Sequence, residues 1–233
     1  MEKPFGLMDV PYSQPNQDIN NPSMVQGQVI APFGPVVWKG NLNKDVINKT
    51  NQCIEKVKDD LNLDLVSQLA GRVEVQRSLH ENIDPSVIDS IMNHVKVFAQ
   101  DAGMQGIEKE DMYINGLWCN VQQKFEYNPL HSHDGMFSFV YYTKNTVTQE
   151  QAQSNKWDTT HESSTLGNRP LAGSIELHYG EPSFMNMCSF LHFPQEGDLL
   201  IFPAWLRHSV YPFYCEGERI SVAGNVHMKN NGV

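Results

Sequence analysis

The chain changes texture near residue 110, and that change restricts its fold more than any other feature. Before it, apolar residues recur at helical spacing. Val46, Ile47, Ile54, Val57 and Leu61 mark an amphipathic helix with Asn43 or Asp45 as its cap. Val87, Ile88, Ile91, Met92, Val95 and Phe98 mark a second over about 84–102, with Pro85 in its first turn and Gly103 behind its end. Residues 62–83 read as a short helix and a turn, and 28–38, broken by Pro32 and Pro35, as a short first strand. After Glu110 come short β-rich segments at 112–126, 136–144, 173–180, 197–203, 208–214 and 219–228, separated by polar or turn-forming stretches. Helices followed by an antiparallel β run predict a mainly β fold with N-terminal helices, a double-stranded β-helix or jelly roll.

Residues 1–27, rich in Pro, Asn, Gln and Ser, read as an irregular arm. The expected organisation is then a single domain over 28–233, with helices about 43–102 and a jelly-roll core about 110–228. The polar stretch 145–172 is long for a loop in a compact domain, and such loops tend to border functional sites.

Charge and apolar runs narrow the function classes. The net charge of −10 argues against wrapping duplex nucleic acid, which needs a basic face. No apolar run reaches the roughly 18 residues of a membrane span. The N-terminus lacks a basic segment followed by an apolar one, so no secretory signal is expected and the cytoplasm is the expected compartment. Cys53, Cys119, Cys188 and Cys215 lie far apart without a CxxC pair, which disfavours a zinc knuckle or a disulfide framework.

The residues that carry chemistry are few. His131 and His133 are two apart, so in extended chain their imidazoles share one face. His208 lies beside a later strand that an antiparallel barrel can bring close. Three neutral ligands on one face leave positions open for a co-substrate and O2. Asp134 is the rival for the second position. A regular strand favours His133; a bend before Gly135 would instead turn Asp134 inward. Arg219 and Ser221 are again two apart, on a face continued by Ala223 and Asn225. A guanidinium fork beside a hydroxyl suits a carboxylate. The bland alternative for Arg219 is a surface pair with Glu216 or Glu218. Asn120 and Gln122 alternate on one strand just upstream; Asn120 could point into the same site, the alternative being a polar outward face. His178 reads as a core or rim histidine, and His80, His94 and His161 as surface. Trp118, Trp205, Phe202 and Phe137 read as core, and Gly135, Gly173 and Gly197 as turn residues.

In this order, the His-x-His, the Tyr-Tyr strand at 141–142, the segment GDLLIFPAWLRH at 197–208 and the terminal Arg-Ile-Ser resemble the 2-oxoglutarate/Fe(II)-dependent oxygenases. The likeness is to a subgroup, common in bacteria and phages, with a His-x-His first motif and a C-terminal Arg-x-Ser motif. It covers roughly residues 28–228. The resemblance implies iron at His131, His133 and His208. It implies that Arg219 and Ser221 hold the distal carboxylate of 2-oxoglutarate, with Tyr142 beside them and Asn120 near the other carboxylate. Fe(II), 2-oxoglutarate and O2 would be the cofactors, and the activity a hydroxylation coupled to release of succinate and CO2. The implied substrate is a small molecule or a peptide side chain; for a phage-encoded chain the compartment would be the host cytoplasm. The wider superfamily uses His-x-Asp, and this sequence departs from it at His133. Two other classes share a jelly roll: a cupin-type metal enzyme that does not use 2-oxoglutarate, and a non-catalytic interaction protein. Neither needs Arg219-x-Ser221.

Overall fold

The computed structural model describes residues 27–30, 34–153, 171–181 and 188–229. The arm expected at 1–27 falls outside them apart from Gly27, as does 154–170 of the long polar stretch. Eleven described strands form two antiparallel sheets. They are β1 (Gly27–Ile30), β2 (Val37–Asn41), β3 (Val75–Ser78), β4 (Met112–Gln122), β5 (Asn128–His131), β6 (Phe137–Asn145), β7 (Ile175–His178), β8 (Ser189–His192), β9 (Asp198–Pro203), β10 (Arg207–Val210) and β11 (Arg219–Met228). The larger sheet runs β1-β2-β9-β6-β11-β4-β3 and the smaller β5-β10-β7-β8. This is the jelly roll that the order of elements predicts.

Strand alternation divides the large sheet into two faces with different duties. Phe137, Phe139 and Tyr141 of β6, Leu199 and Ile201 of β9, and Ile220, Val222 and Val226 of β11 face the helices. The helices are α1 (Lys44–Val57) and α2 (Pro85–Asp101), which share that core; Phe98 of α2 meets Phe137 edge-on at 5.0 Å. Burial of this face holds the sheet rigid, each fully buried aliphatic or aromatic side chain contributing about 1.5–3 kcal/mol. The intervening residues Val140, Tyr142, Leu200 and Phe202 face the other way, into the barrel, where Ile175 and Leu177 of β7 meet them.

The helix termini follow local chemistry. Asn43 caps α1, its side chain accepting from the Val46 N–H at 3.0 Å, and Asp84 caps α2 ahead of Pro85. Gly103 follows α2 at φ +92°.

Several expectations need correction. Residues 62–83 hold no α-helix; they form two single 3-10 turns, Leu61–Leu63 and Val66–Gln68, and then β3, which pairs with β4 at the sheet edge. The single strand read at 28–38 is the antiparallel pair β1 and β2. The segment read as 112–126 stops at Gln122, and β5 and β8 were not recognised. His94 is buried in α2 at 5% exposure, not on the surface. Among the described residues no helix is long and apolar enough to cross a membrane.

Candidate metal centre

β5 is a four-residue edge strand, which is why it tolerates Pro129. It pairs with β10 so that His131 and His208 are register partners. His133 follows in a loop whose backbone is fixed by its own N–H donating to the Ala204 carbonyl at 2.9 Å. Gly135 then turns the chain into β6 at φ +104°. A Cβ there would lie 2.9 Å from the Val226 carbonyl oxygen, so the turn needs glycine. Asp134 is exposed and lies outside the cluster of ligand atoms.

The three imidazoles converge. Ring centroids are 4.2 Å apart for His131–His208, 5.0 Å for His131–His133 and 5.2 Å for His133–His208. One nitrogen from each lies within 4.8 Å of the others, close enough to share a metal ion. The backbone sets two of the tautomers. His131 Nδ1 lies 2.7 Å from the Pro129 carbonyl and His208 Nδ1 3.1 Å from that of Leu206. A carbonyl only accepts, so each Nδ1 carries the proton and each Nε2 keeps a lone pair. Burial, then the charge of neighbouring His131, lowers His208 to about 3 and His133 to about 4; burial also lowers His131. The trio therefore presents neutral nitrogens at pH 7, the form a metal requires.

Arg219 begins β11 and is buried at 2% exposure. Its guanidinium donates to the Gly173 carbonyl and to Gln122 Oε1, and sits 5.9 Å from the centre of the Tyr142 ring. Among the described residues no carboxylate pairs with it. Its acidic neighbours are engaged elsewhere, Glu216 with Lys124 and Glu218 with Lys144. Burial pulls its pKa down. A buried guanidinium without a counter-charge is costly, and an anion in the same space relieves that cost.

Such a space exists. One cavity of about 360 Å³ is bordered by the three histidines and by Arg219, Ser221, Tyr142 and Asn120. These seven residues thus border one enclosure, whereas Asp134 and Gln122, also considered from the sequence, do not line it. β4 and β11 pair along it as Arg219–Gln122, Ser221–Asn120 and Ala223–Trp118, which orders the wall from a cationic end to an aromatic one. Asn120 Oδ1 accepts from Gln76 Nε2 at 2.8 Å. Burial pushes the Tyr142 hydroxyl up to about 12, so it remains a protonated donor.

Some residues were placed wrongly or missed. Trp118 borders the cavity, 5.5 Å from the His133 ring, instead of lying in the core, and Trp205 is 55% exposed. Phe202 and Phe137 are core, as expected. The Gln122 contact to Arg219 and the Ser138–Asn225 hydrogen bond at 2.9 Å were not foreseen. Both were within reach of pairing rules, because Gln122 shares the inward face with Asn120, and Asn225 continues that of Arg219.

With this geometry in view, comparison with known proteins is specific. The family described as "Putative 2OG-Fe(II) oxygenase" matches residues 116–225, the span from β4 to β11 that carries the histidines and Arg219. That span of the chain is similar to the 2OG-Fe(II) oxygenases. No curated protein matches at the sequence level. Among solved structures, a Pseudomonas putida prolyl-4-hydroxylase superposes with a TM-score of 0.54 at 14% identity, covering 83% of this chain and 92% of its own. The viral collagen prolyl hydroxylase of Paramecium bursaria Chlorella virus-1, in its 2-oxoglutarate complex, gives 0.51 at 13%, covering 82% and 94%. HygX of Streptomyces hygroscopicus, with nickel and 2-oxoglutarate, gives 0.51 at 11%, covering 85% and 84%. At these identities the likeness is one of fold. A 2OG-Fe(II) oxygenase uses iron(II), 2-oxoglutarate and O2, and the donor set here fits: neutral imidazoles for the metal and an uncompensated guanidinium for a dicarboxylate.

Proposed function

We propose that His131, His133 and His208 hold iron(II), that Arg219 and Ser221 hold the distal carboxylate of 2-oxoglutarate, and that the enzyme hydroxylates a small molecule or a peptide side chain. The observation that carries this reading is the sharing of one cavity by three converging imidazoles and a buried guanidinium that has no carboxylate among the described residues. Iron and 2-oxoglutarate, when bound, supply the oxidant: 2-oxoglutarate and O2 yield succinate, CO2 and one oxygen atom inserted into a substrate C–H bond.

The chain's own residues supply position and shielding. The Arg219 fork donates to the carboxylate, and Gln122 and Gly173 fix the orientation of that fork. Ser221 and the protonated Tyr142 hydroxyl add donors from the same wall, and Asn120 lies next along it. His131 and His208 are held by backbone carbonyls at Nδ1, which leaves each Nε2 with the lone pair a metal would use. Leu65, Leu69 and Trp118 cover the cavity with apolar surface and limit water. His133 is taken as the third ligand in preference to Asp134, because its ring joins the cluster and the Asp134 side chain does not.

The test is anaerobic titration with Fe(II) and then 2-oxoglutarate, followed by a succinate assay in air. One iron per chain, a visible charge-transfer band on adding 2-oxoglutarate and 2-oxoglutarate-dependent succinate are the expected results. Iron binding without any response to 2-oxoglutarate would favour a cupin-type enzyme, and no iron at all a non-catalytic scaffold.

A further inference from the structure

Asn128, the first residue of β5, borders the same cavity and has no role in the reading above. Its Nδ2 lies 3.1 Å from His131 Nε2. The orientation of this carboxamide follows from chemistry. Because His131 Nδ1 donates to the Pro129 carbonyl, Nε2 carries a lone pair and no proton, and it must be met by a donor. The amide therefore presents N–H to the imidazole and turns Oδ1 away. That oxygen is buried and has no hydrogen-bond partner among the described residues. Gly71 closes over it, where an added Cβ would stand 3.0 Å from Oδ1 and 2.2 Å from the Tyr127 carbonyl oxygen. An amide that leaves its oxygen unsatisfied in order to aim its N–H at one nitrogen is held there by its surroundings, not by its own hydrogen-bonding preference.

We propose that Asn128 is a positioning residue of the metal centre whose N–H competes with the metal for the Nε2 lone pair of His131. The inference rests on His131 being a metal ligand. One lone pair serves one partner, so loading the centre displaces the carboxamide from His131 and releases its N–H into the cavity. The Pro129 carbonyl already fixes the imidazole plane, so Asn128 is not needed to orient the ring. Its contribution is a threshold that a metal must exceed in order to bind.

The test uses Co(II) alone as the probe. Asn128→Leu keeps the size of the side chain and removes the donor; Asn128→Ala checks that packing is not the cause. Without a competing hydrogen bond of ordinary strength, both variants should bind Co(II) roughly three- to tenfold more tightly than the wild type. In the metal-free protein the 15N resonance of His131 Nε2 should move towards that of an unbonded imidazole nitrogen, a signature that altered packing would not produce. Unchanged or weaker Co(II) affinity in folded variants, or an unmoved Nε2 resonance, overturns the proposal. A wild-type protein that binds no Co(II) overturns the metal reading itself, and this inference with it.

Discussion

His131 and His208 are register partners across β5 and β10, and their rings stand 4.2 Å apart between centroids. Neither residue could be moved without shifting a strand. This pairing makes the cluster a property of the barrel, with only His133 contributed by a loop. His208→Ala should therefore remove the metal without undoing the fold. Loss of a partner that merely orients a ligand costs about 10–100-fold in affinity, and loss of the ligand itself should exceed that. Elemental analysis after anaerobic loading, alongside circular dichroism, checks it. Full iron occupancy in the variant would remove His208 from the centre.

Arg219 gives the opposite pairing of effects. Its charge is buried without a carboxylate among the described residues, so it contributes little to folding for its cost. Arg219→Met should leave the melting temperature without 2-oxoglutarate unchanged or slightly higher. The same variant should weaken 2-oxoglutarate binding about a hundredfold, since truncating a buried charge partner costs about 2–5 kcal/mol. Titration of the iron-loaded protein with 2-oxoglutarate measures this. Equal affinity in variant and wild type would mean that the carboxylate is held elsewhere.

Phe125 offers a test of local strain. It sits in the turn between β4 and β5 at φ +69°, a region a bulky side chain rarely adopts, and it is half exposed. Its ring meets Tyr214 at 5.8 Å, a contact of little weight in water. Phe125→Gly should relieve strain of about 1–2 kcal/mol and return part of that gain to the unfolded chain's freedom, for a net stabilisation of about 0.5–1 kcal/mol. A chemical-denaturation midpoint that moves down would show that the Tyr214 contact outweighs the backbone.

The parts of this molecule that were legible in the sequence are those where periodicity and register coincide. Arg219, Ser221, Ala223 and Asn225 share a face by strand alternation alone, and the structure lines the cavity with all four. The capped helices α1 and α2 were equally plain, because a side-chain cap and an apolar stripe are both local signals. β5 was not legible: it is four residues long and contains a proline, and only its pairing with β10 makes it a strand. A tryptophan at a strand position reads as core, yet alternation with Asn120 puts Trp118 on the inward face. Gln122 needed the β4–β11 register before its contact with Arg219 could be seen. His94 was misjudged by residue type, since the spacing from Val87 and Ile91 through to Phe98 puts it on the buried stripe of α2.

That buried histidine makes the stability of the protein sensitive to acid. His94 Nδ1 donates to the Ser90 carbonyl at 2.9 Å, and Nε2 is buried with no partner among the described residues. A proton at Nε2 would place a charge in the apolar core, so burial lowers the pKa of His94 in the folded state. In the unfolded chain it titrates near its ordinary value of about 6.5. Below that pH the unfolded state takes up a proton that the folded state refuses, and acid therefore favours unfolding. The contribution of neutral His94 is complete above about pH 6.5 and declines by at most about 1.4 kcal/mol per pH unit as the pH falls towards the lowered folded value. His94→Leu removes the titrating group and fills the same apolar position. Chemical denaturation at a series of pH values should show the wild type losing stability from pH 6.5 to 5. The variant should lose less over that range. Parallel losses in the two proteins would assign the acid sensitivity to another group.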